Sequence, residues 1–209
     1  MNIIQKPVPN FTKGRKDKIG KEWKPDIVVI HIGEGSLGYI YEKTLGQIYS
    51  TFVHEERSSH YAVGENGEVN QYVEETDMAW GNGVIDRPSA ELVKHRGNLN
   101  PNLYTISIEH EGYASADITQ KQYESTAQLV KEICRKWSIP IDRRHIIRHD
   151  EIRKSKNCPG KIDVGRIVNI VNKPETNATS STSKELVLIQ QKISWIQAII
   201  NSLKTLRGK

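Results

Sequence analysis

Long apolar runs are missing from this sequence. No segment approaches the roughly 20 apolar residues that a membrane-spanning helix needs, so no membrane insertion is expected. The first residues, MNIIQKPVPNFTKGRKDKIG, lack the apolar stretch of a secretory signal. The expectation is a protein synthesised in the cytoplasm without an ordinary export signal. Cysteine is scarce too: the 209 residues contain two, Cys134 and Cys158. Two cysteines leave a single bridge open on count alone and exclude the multi-bridge framework of small secreted domains. A domain of about 170 residues buries roughly two-thirds of the surface of its unfolded chain, so it holds a core without bridges. The first 172 residues also lack a basic stripe with interleaved aromatics, so no nucleic-acid partner is expected.

The net charge of +5 is unevenly placed. Residues 173–209 carry six Lys or Arg against two acids, which leaves about +1 for the rest. A basic tail suits an anionic polymer such as nucleic acid or cell wall, or is simply a solvated helix face. Residues 173–184 (KPETNATSSTSK) read as a polar linker. Beyond it, Leu186, Ile193 and Ile200 alternate with Ile189, Ile196 and Leu203 at the spacing of a coiled-coil seam. A helix of under three heptads is unstable alone. Residues 185–209 are therefore expected to pair with a second copy as a homo-oligomer, with another protein or with the main domain, residues 1–172.

In that domain, Asp26–Ile32 (DIVVIHI) predicts a buried central strand that ends at His31. A Gly-rich stretch, Gly33–Gly38, follows. Residues 41–54 have helical spacing, with Tyr41, Leu45, Ile48, Tyr49 and Phe52 on one side. His60–Val63 and Val69–Val73 flank the turn Glu65-Asn66-Gly67-Glu68 and predict a hairpin. Residues 76–103 lack periodicity and predict a long loop, a frequent seat of function. Tyr104–Glu109 predicts a strand, and Thr119 caps a helix running to Trp137. Ile146–His149 predicts a strand end, and residues 163–171 a closing helix. The alternation implies a single α/β domain with a central mixed β-sheet flanked by helices.

Imidazole and thiolate are common zinc ligands, and a catalytic zinc keeps three protein ligands and one open position. His31 ends a strand, where its side chain can project into a cleft. His149 and Cys158 lie within one segment, HDEIRKSKNCPG, so one loop can bring both to one ion. In order along the chain stand DIVVIHI, SSHYAVGENGEVNQYVEE, ISIEHEG and HDEIRKSKNCPG. This series resembles the zinc-dependent N-acetylmuramoyl-L-alanine amidases of the phage-lysozyme and peptidoglycan-recognition type, over roughly residues 24–172.

The resemblance implies Zn2+ held by His31, His149 and Cys158, with Lys156 beside the metal and Glu109 opposite. It implies hydrolysis of the amide between N-acetylmuramic acid and L-alanine in bacterial peptidoglycan. Glu109 would then carry the proton, and Lys156 would stabilise the developing oxyanion. Without the resemblance, Glu109 reads as a partner for a surface arginine and Lys156 as a solvated lysine. His60, on the hairpin, and Trp80, in the long loop, are candidate substrate contacts, and Trp80 reads equally as a packing anchor. His110 falls on the opposite strand face from Glu109.

The sequence departs from some relatives at three places. Ser59 stands where they carry a catalytic tyrosine, which leaves proton transfer to Glu109. Ile32-Gly33-Glu34 follows the first ligand in place of a second histidine or a small hydroxyl residue. Gly81 stands where they have a substrate-contacting histidine after the tryptophan. The biological role expected is a phage or prophage endolysin acting on the wall after release. The competing readings are a cytoplasmic wall-fragment recycling amidase, a binding-only protein of the same fold and a peptidase using Cys158 as nucleophile. Binding-only relatives commonly lose the cysteine ligand, and Cys158 is present.

Overall fold

The computed structural model describes residues 1–33 and 44–174, together with the separate positions 189, 192 and 193. The stretch 34–43, with Glu34 and Tyr41, lies outside the described residues. So do most of the linker and of the helix expected over 185–209. The chain divides into two compact units, residues 1–172 and 173–209.

The first unit is built on a six-stranded sheet. Its strands are β1 (Ile3–Gln5), β3 (Ile27–Ile30), β4 (Tyr61–Val63), β5 (Val69–Gln71), β7 (Thr105–His110) and β8 (Ile146–Arg148). Their order across the sheet is β1-β5-β4-β7-β3-β8. Only the β4–β5 hairpin is antiparallel; every other neighbouring pair is parallel. The hairpin turns at Gly67, whose φ of 85° suits a residue without a Cβ. A second small sheet pairs β2 (Phe11–Thr12) with β6 (Met78–Ala79).

Among the described residues, four helices cover the faces: α1 (Leu45–His54), α2 (Glu91–Arg96), α3 (Gln120–Trp137) and α4 (Val164–Asn172). β3 is buried along its whole length, as a parallel strand covered on both faces must be. Its side chains alternate. Val28 and Ile30 join Ile106, Ile108, Val130, Ile133 and Ile167 under α3 and α4. Ile27 and Val29 join Val93, Leu103, Tyr104 and Ile147 on the α2 side. α1 packs Ile48 and Phe52 on Ala62, Tyr72 and Val73. α3 starts at a capping box: Gln122 N–H donates to Thr119 Oγ1, and Thr119 N–H donates to Gln122 Oε1.

The α/β class and the mixed sheet match the sequence reading. Two features differ. The first twenty-five residues, for which the sequence predicts no element, supply β1 at the sheet edge and β2. The expected loop 76–103 contains β6, α2 and the 3-10 turn Pro101–Leu103. These elements are too short to show a period, and tertiary pairing sets them.

Candidate metal centre

Strand alternation and register bring the site together. β3 pairs with β7 so that Ile30 faces Ile108, and with β8 so that Ile30 faces Arg148. One residue further on, His31 falls in row with Glu109 and His149 at the carboxyl ends of three adjacent parallel strands. All three share the parity of Val29, Ser107 and Ile147, so they leave the sheet on the face away from α3 and α4. In open α/β sheets this edge is where ligands bind. His31 N–H donates to Ile108 O at 2.9 Å and holds the backbone in register. His110, of opposite parity, braces the same backbone from behind. Its Nδ1 donates to His31 O, and its Nε2 accepts from Thr126 Oγ1, both at 2.7 Å.

Cys158 arrives on the loop after β8. Asp150 N–H donates to Cys158 O at 2.8 Å. Arg148 ties the loop down by donating to the Asp150 carboxylate, Gly160 O and Ile162 O. Gly160 has a φ of 63°, and a Cβ there would lie 2.3 Å from the Ala114 backbone. That close approach requires glycine and seats the Cys158 turn against the end of the sheet.

His31, His149 and Cys158 are all buried, and their ligand atoms lie within 4.8 Å of one another. The two imidazole rings are 4.4 Å apart. Cys158 Sγ is 3.6 Å from His31 Nδ1. A tetrahedral zinc with ordinary Zn–S and Zn–N bonds separates its sulfur and nitrogen donors by about 3.6 Å, so this donor set fits the ion. Burial first, then His149, holds the His31 imidazolium well below its ordinary pKa. Burial, Lys156 and Arg153 bring His149 down to about 4. Both rings are therefore neutral near pH 7, the form that ligates metal. Burial and Glu109 push the Cys158 thiol well up, while Ile32 N–H, donating to Sγ at 3.3 Å, favours the thiolate. That balance is the reverse of an activated nucleophile, and a bound cation overturns it.

These residues form the floor of a cleft of about 440 Å³. Glu109 Oε1 lies 3.8 Å from His31 Nδ1. Lys156 lines the same cleft, its pKa lowered by burial and Arg153 and supported by Cys158 and Glu109. Trp80 lines the wall, its indole N–H donating to Thr12 Oγ1 at 2.9 Å, so the unexpected strand β2 holds it. Gly81 is tightly placed: a Cβ would sit 3.0 Å from Ser58 O and 3.2 Å from Ser107 Oγ, so a side chain there requires its neighbours to shift.

His60 is a correction to the sequence reading. It is 1% exposed and is not part of the cleft wall. Its Nδ1 accepts from Ser107 N–H at 3.0 Å, and its Nε2 faces Asp77 O and the Arg15 guanidinium. Burial and Arg15 bring its pKa down to about 3. The hairpin places this side chain in the packing behind the floor, so it makes no contact a substrate could share. Arg57 and Arg153, which also line the cleft, escaped notice among thirty cationic residues. Arg153 stands in the same HDEIRKSKNCPG segment as the ligands, and that was the available signal.

Residues 21–161 match the family described as N-acetylmuramoyl-L-alanine amidase. The chain belongs to this family. A curated relative, the 1,6-anhydro-N-acetylmuramyl-L-alanine amidase AmpD of Haemophilus influenzae, is 30% identical over 109 residues, 52% of each chain. The amidase-family chain thus spans about half the length of the curated relative it matches. Solved structures share its fold. A crystal structure of an AmpD derivative aligns with a TM-score of 0.58 at 22% identity, covering 81% of this chain and 94% of the other. PlyL aligns at 0.56 and 19%, covering 82% and 97%. The N-acetylmuramoyl-L-alanine amidase LysC from Clostridium intestinale URNW aligns at 0.53 and 14%, covering 82% and 98%. At these identities the structures speak for the fold.

Proposed function

We propose that this chain hydrolyses the amide between N-acetylmuramic acid and L-alanine of peptidoglycan, with one zinc ion held by His31, His149 and Cys158. The observation that carries the reading is the buried His-His-Cys cluster on the floor of a cleft, with the Glu109 carboxylate 3.8 Å from His31 Nδ1. Zinc in that position supplies Lewis acidity, polarising an amide carbonyl and making water acidic enough to attack near neutral pH. Glu109 takes the proton of the attacking water on its carboxylate and returns it to the leaving amine nitrogen. Lys156 presents its Nζ cation to the carbonyl oxygen as negative charge develops there. Trp80 offers the cleft an aromatic wall, and burial of the floor keeps the charges in a weakly screened setting.

The role proposed first is that of an endolysin working on intact wall, supported by the basic segment 173–209, whose charge suits an anionic polymer. Multivalent attachment through a self-associating tail would add avidity there. The resemblance to AmpD favours a second reading, removal of the peptide from soluble wall fragments. Purified sacculi and soluble muropeptides, assayed side by side, separate the two.

The test of the activity is metal analysis together with digestion of purified wall. The expected result is one zinc per chain and new N-terminal alanine without new reducing sugar. Chelation should abolish the activity and added zinc restore it. New reducing ends would show glycosidic cleavage and overturn the reading, and activity that survives chelation would overturn the metal assignment.

A further inference from the structure

Behind the metal centre lies a residue that touches no cleft solvent. Asn82, in the Trp80-Gly81-Asn82-Gly83 stretch, is 0% exposed. Its backbone N–H donates to Asn102 Oδ1 at 2.7 Å. Its Nδ2 donates to Thr105 Oγ1 at 3.0 Å and to Ser107 Oγ at 2.9 Å. Both hydroxyls come from β7 on the parity of Glu109, so they stand on the site's side of the sheet. Gly81 and Gly83 allow the close approach: a Cβ at Gly83 would meet Asn102 Nδ2 at 3.1 Å.

The hydrogen bonds determine which way the amide points. Thr105 Oγ1 commits its single proton to Pro101 O at 2.8 Å. It can therefore only accept from Asn82, and the amide nitrogen must face it. The other end of the amide, Oδ1, is a buried acceptor without a hydrogen-bond partner among the described residues, and the buried ring atom Nε2 of His31 has none either. Ser107, which holds the amide, pairs across the sheet with Val29, two residues before His31, so the Asn82 side chain neighbours the His31 imidazole and favours its protonated form. Two buried groups of this kind satisfy each other in one way: the ring nitrogen carries the proton and the amide oxygen accepts it.

We propose that Asn82 is a positioning residue for the metal centre: its Oδ1 accepts the Nε2 proton of His31 and leaves Nδ1 bare toward Cys158 Sγ. The proposal rests on the metal reading given above. A ligand histidine held by a partner on its second nitrogen keeps one tautomer and one ring orientation, and loss of that partner typically weakens metal binding about 10- to 100-fold. In this chain the partner is a neutral amide, locked by two β7 hydroxyls, and the strand that carries Glu109 also orients the first ligand.

The experiment compares zinc affinity by chelator competition in the full-length chain and in Asn82→Leu and Asn82→Asp. Long-range 1H–15N correlation spectra of the His31 ring in the zinc-loaded wild type accompany it. The leucine removes the acceptor and should weaken zinc binding about 10- to 100-fold. The aspartate keeps an acceptor oxygen but cannot donate to Thr105 Oγ1, so it should bind zinc more weakly than the wild type and more tightly than the leucine variant. The spectrum should show the proton on Nε2. Equal affinity in the leucine variant, or a proton on Nδ1, overturns the proposal. The spectrum decides alone if the leucine variant does not fold. Zinc absent from the wild type overturns the metal reading itself, which keeps the two failures apart.

Discussion

At the scale of single residues, each side chain on the cleft floor carries a separable prediction. Glu109→Gln should retain zinc and lower kcat by about 10²- to 10⁴-fold, the share that a positioned acid–base group supplies. Metal analysis and wall digestion of the same preparation check it, and full activity in the glutamine variant would remove Glu109 from the chemistry. Cys158→Ser should lose both zinc and activity, because a neutral hydroxyl replaces the thiolate ligand. His60 should behave otherwise. His60→Ala leaves the Ser107 N–H and Arg15 short of partners and should cost about 1–3 kcal/mol of stability. Its KM for wall should stay unchanged, whereas Trp80→Ala should raise KM. A KM effect from His60→Ala would return that residue to the substrate site. His31, His149 and Cys158 stood out in the sequence as metal-type ligands, and Glu109 and Lys156 only through the family resemblance; the structure brings all five to one cleft. His60 was misplaced because hairpin membership says nothing about which neighbour fills the space beside a ring. Asn82 gave no signal, since its role depends on two hydroxyls and a histidine far from it in sequence.

At the scale of elements, helix α3 and the Cys158 turn show two kinds of legibility. The α3 start at Thr119 was readable from its cap, and the structure adds that Thr119 Oγ1 also donates to Glu65 O in the hairpin turn. Thr119→Ala should therefore destabilise by about 0.5–2 kcal/mol, measured as a lower urea midpoint. No change would mean that neither bond contributes. The Cys158 turn was readable only as part of a loop able to bring His149 and Cys158 to one ion. Its seat depends on Arg148 and on the contact of Gly160 with Ala114, which no local pattern contains. β1 and β2 escaped for the same reason: strands of two or three residues exist because partners in distant segments pair with them.

At the scale of the whole molecule, buried neutral histidines set the acid response. His60 and His110 titrate at about 3 and about 4 in the folded chain, against about 6.5 when unfolded. Between these values the unfolded state binds more protons, so stability rises with pH. Their contribution is fully present above about pH 6.5 and is lost as pH falls toward 4. Urea midpoints measured from pH 8 to 4 should be level at first and then fall; a rise toward pH 4 would contradict the burial of both rings. No helix among the described residues is long and apolar enough to cross a membrane. For the tail we propose a role in attachment: removal of residues 174–209 should lower both wall binding and oligomeric state, read by pull-down on sacculi and by light scattering. Unchanged values would refute it. The sequence by itself determined the α/β class, the strand-end position of His31 and the alternation that separates Glu109 from His110, because these depend on near neighbours along one chain. Only the tertiary structure decided that residues 31, 109 and 149 stand in one row, that Cys158 closes on them and that His60 turns inward. Register between strands and the occupancy of buried space are set by contacts between distant segments, and no periodicity within a segment records them.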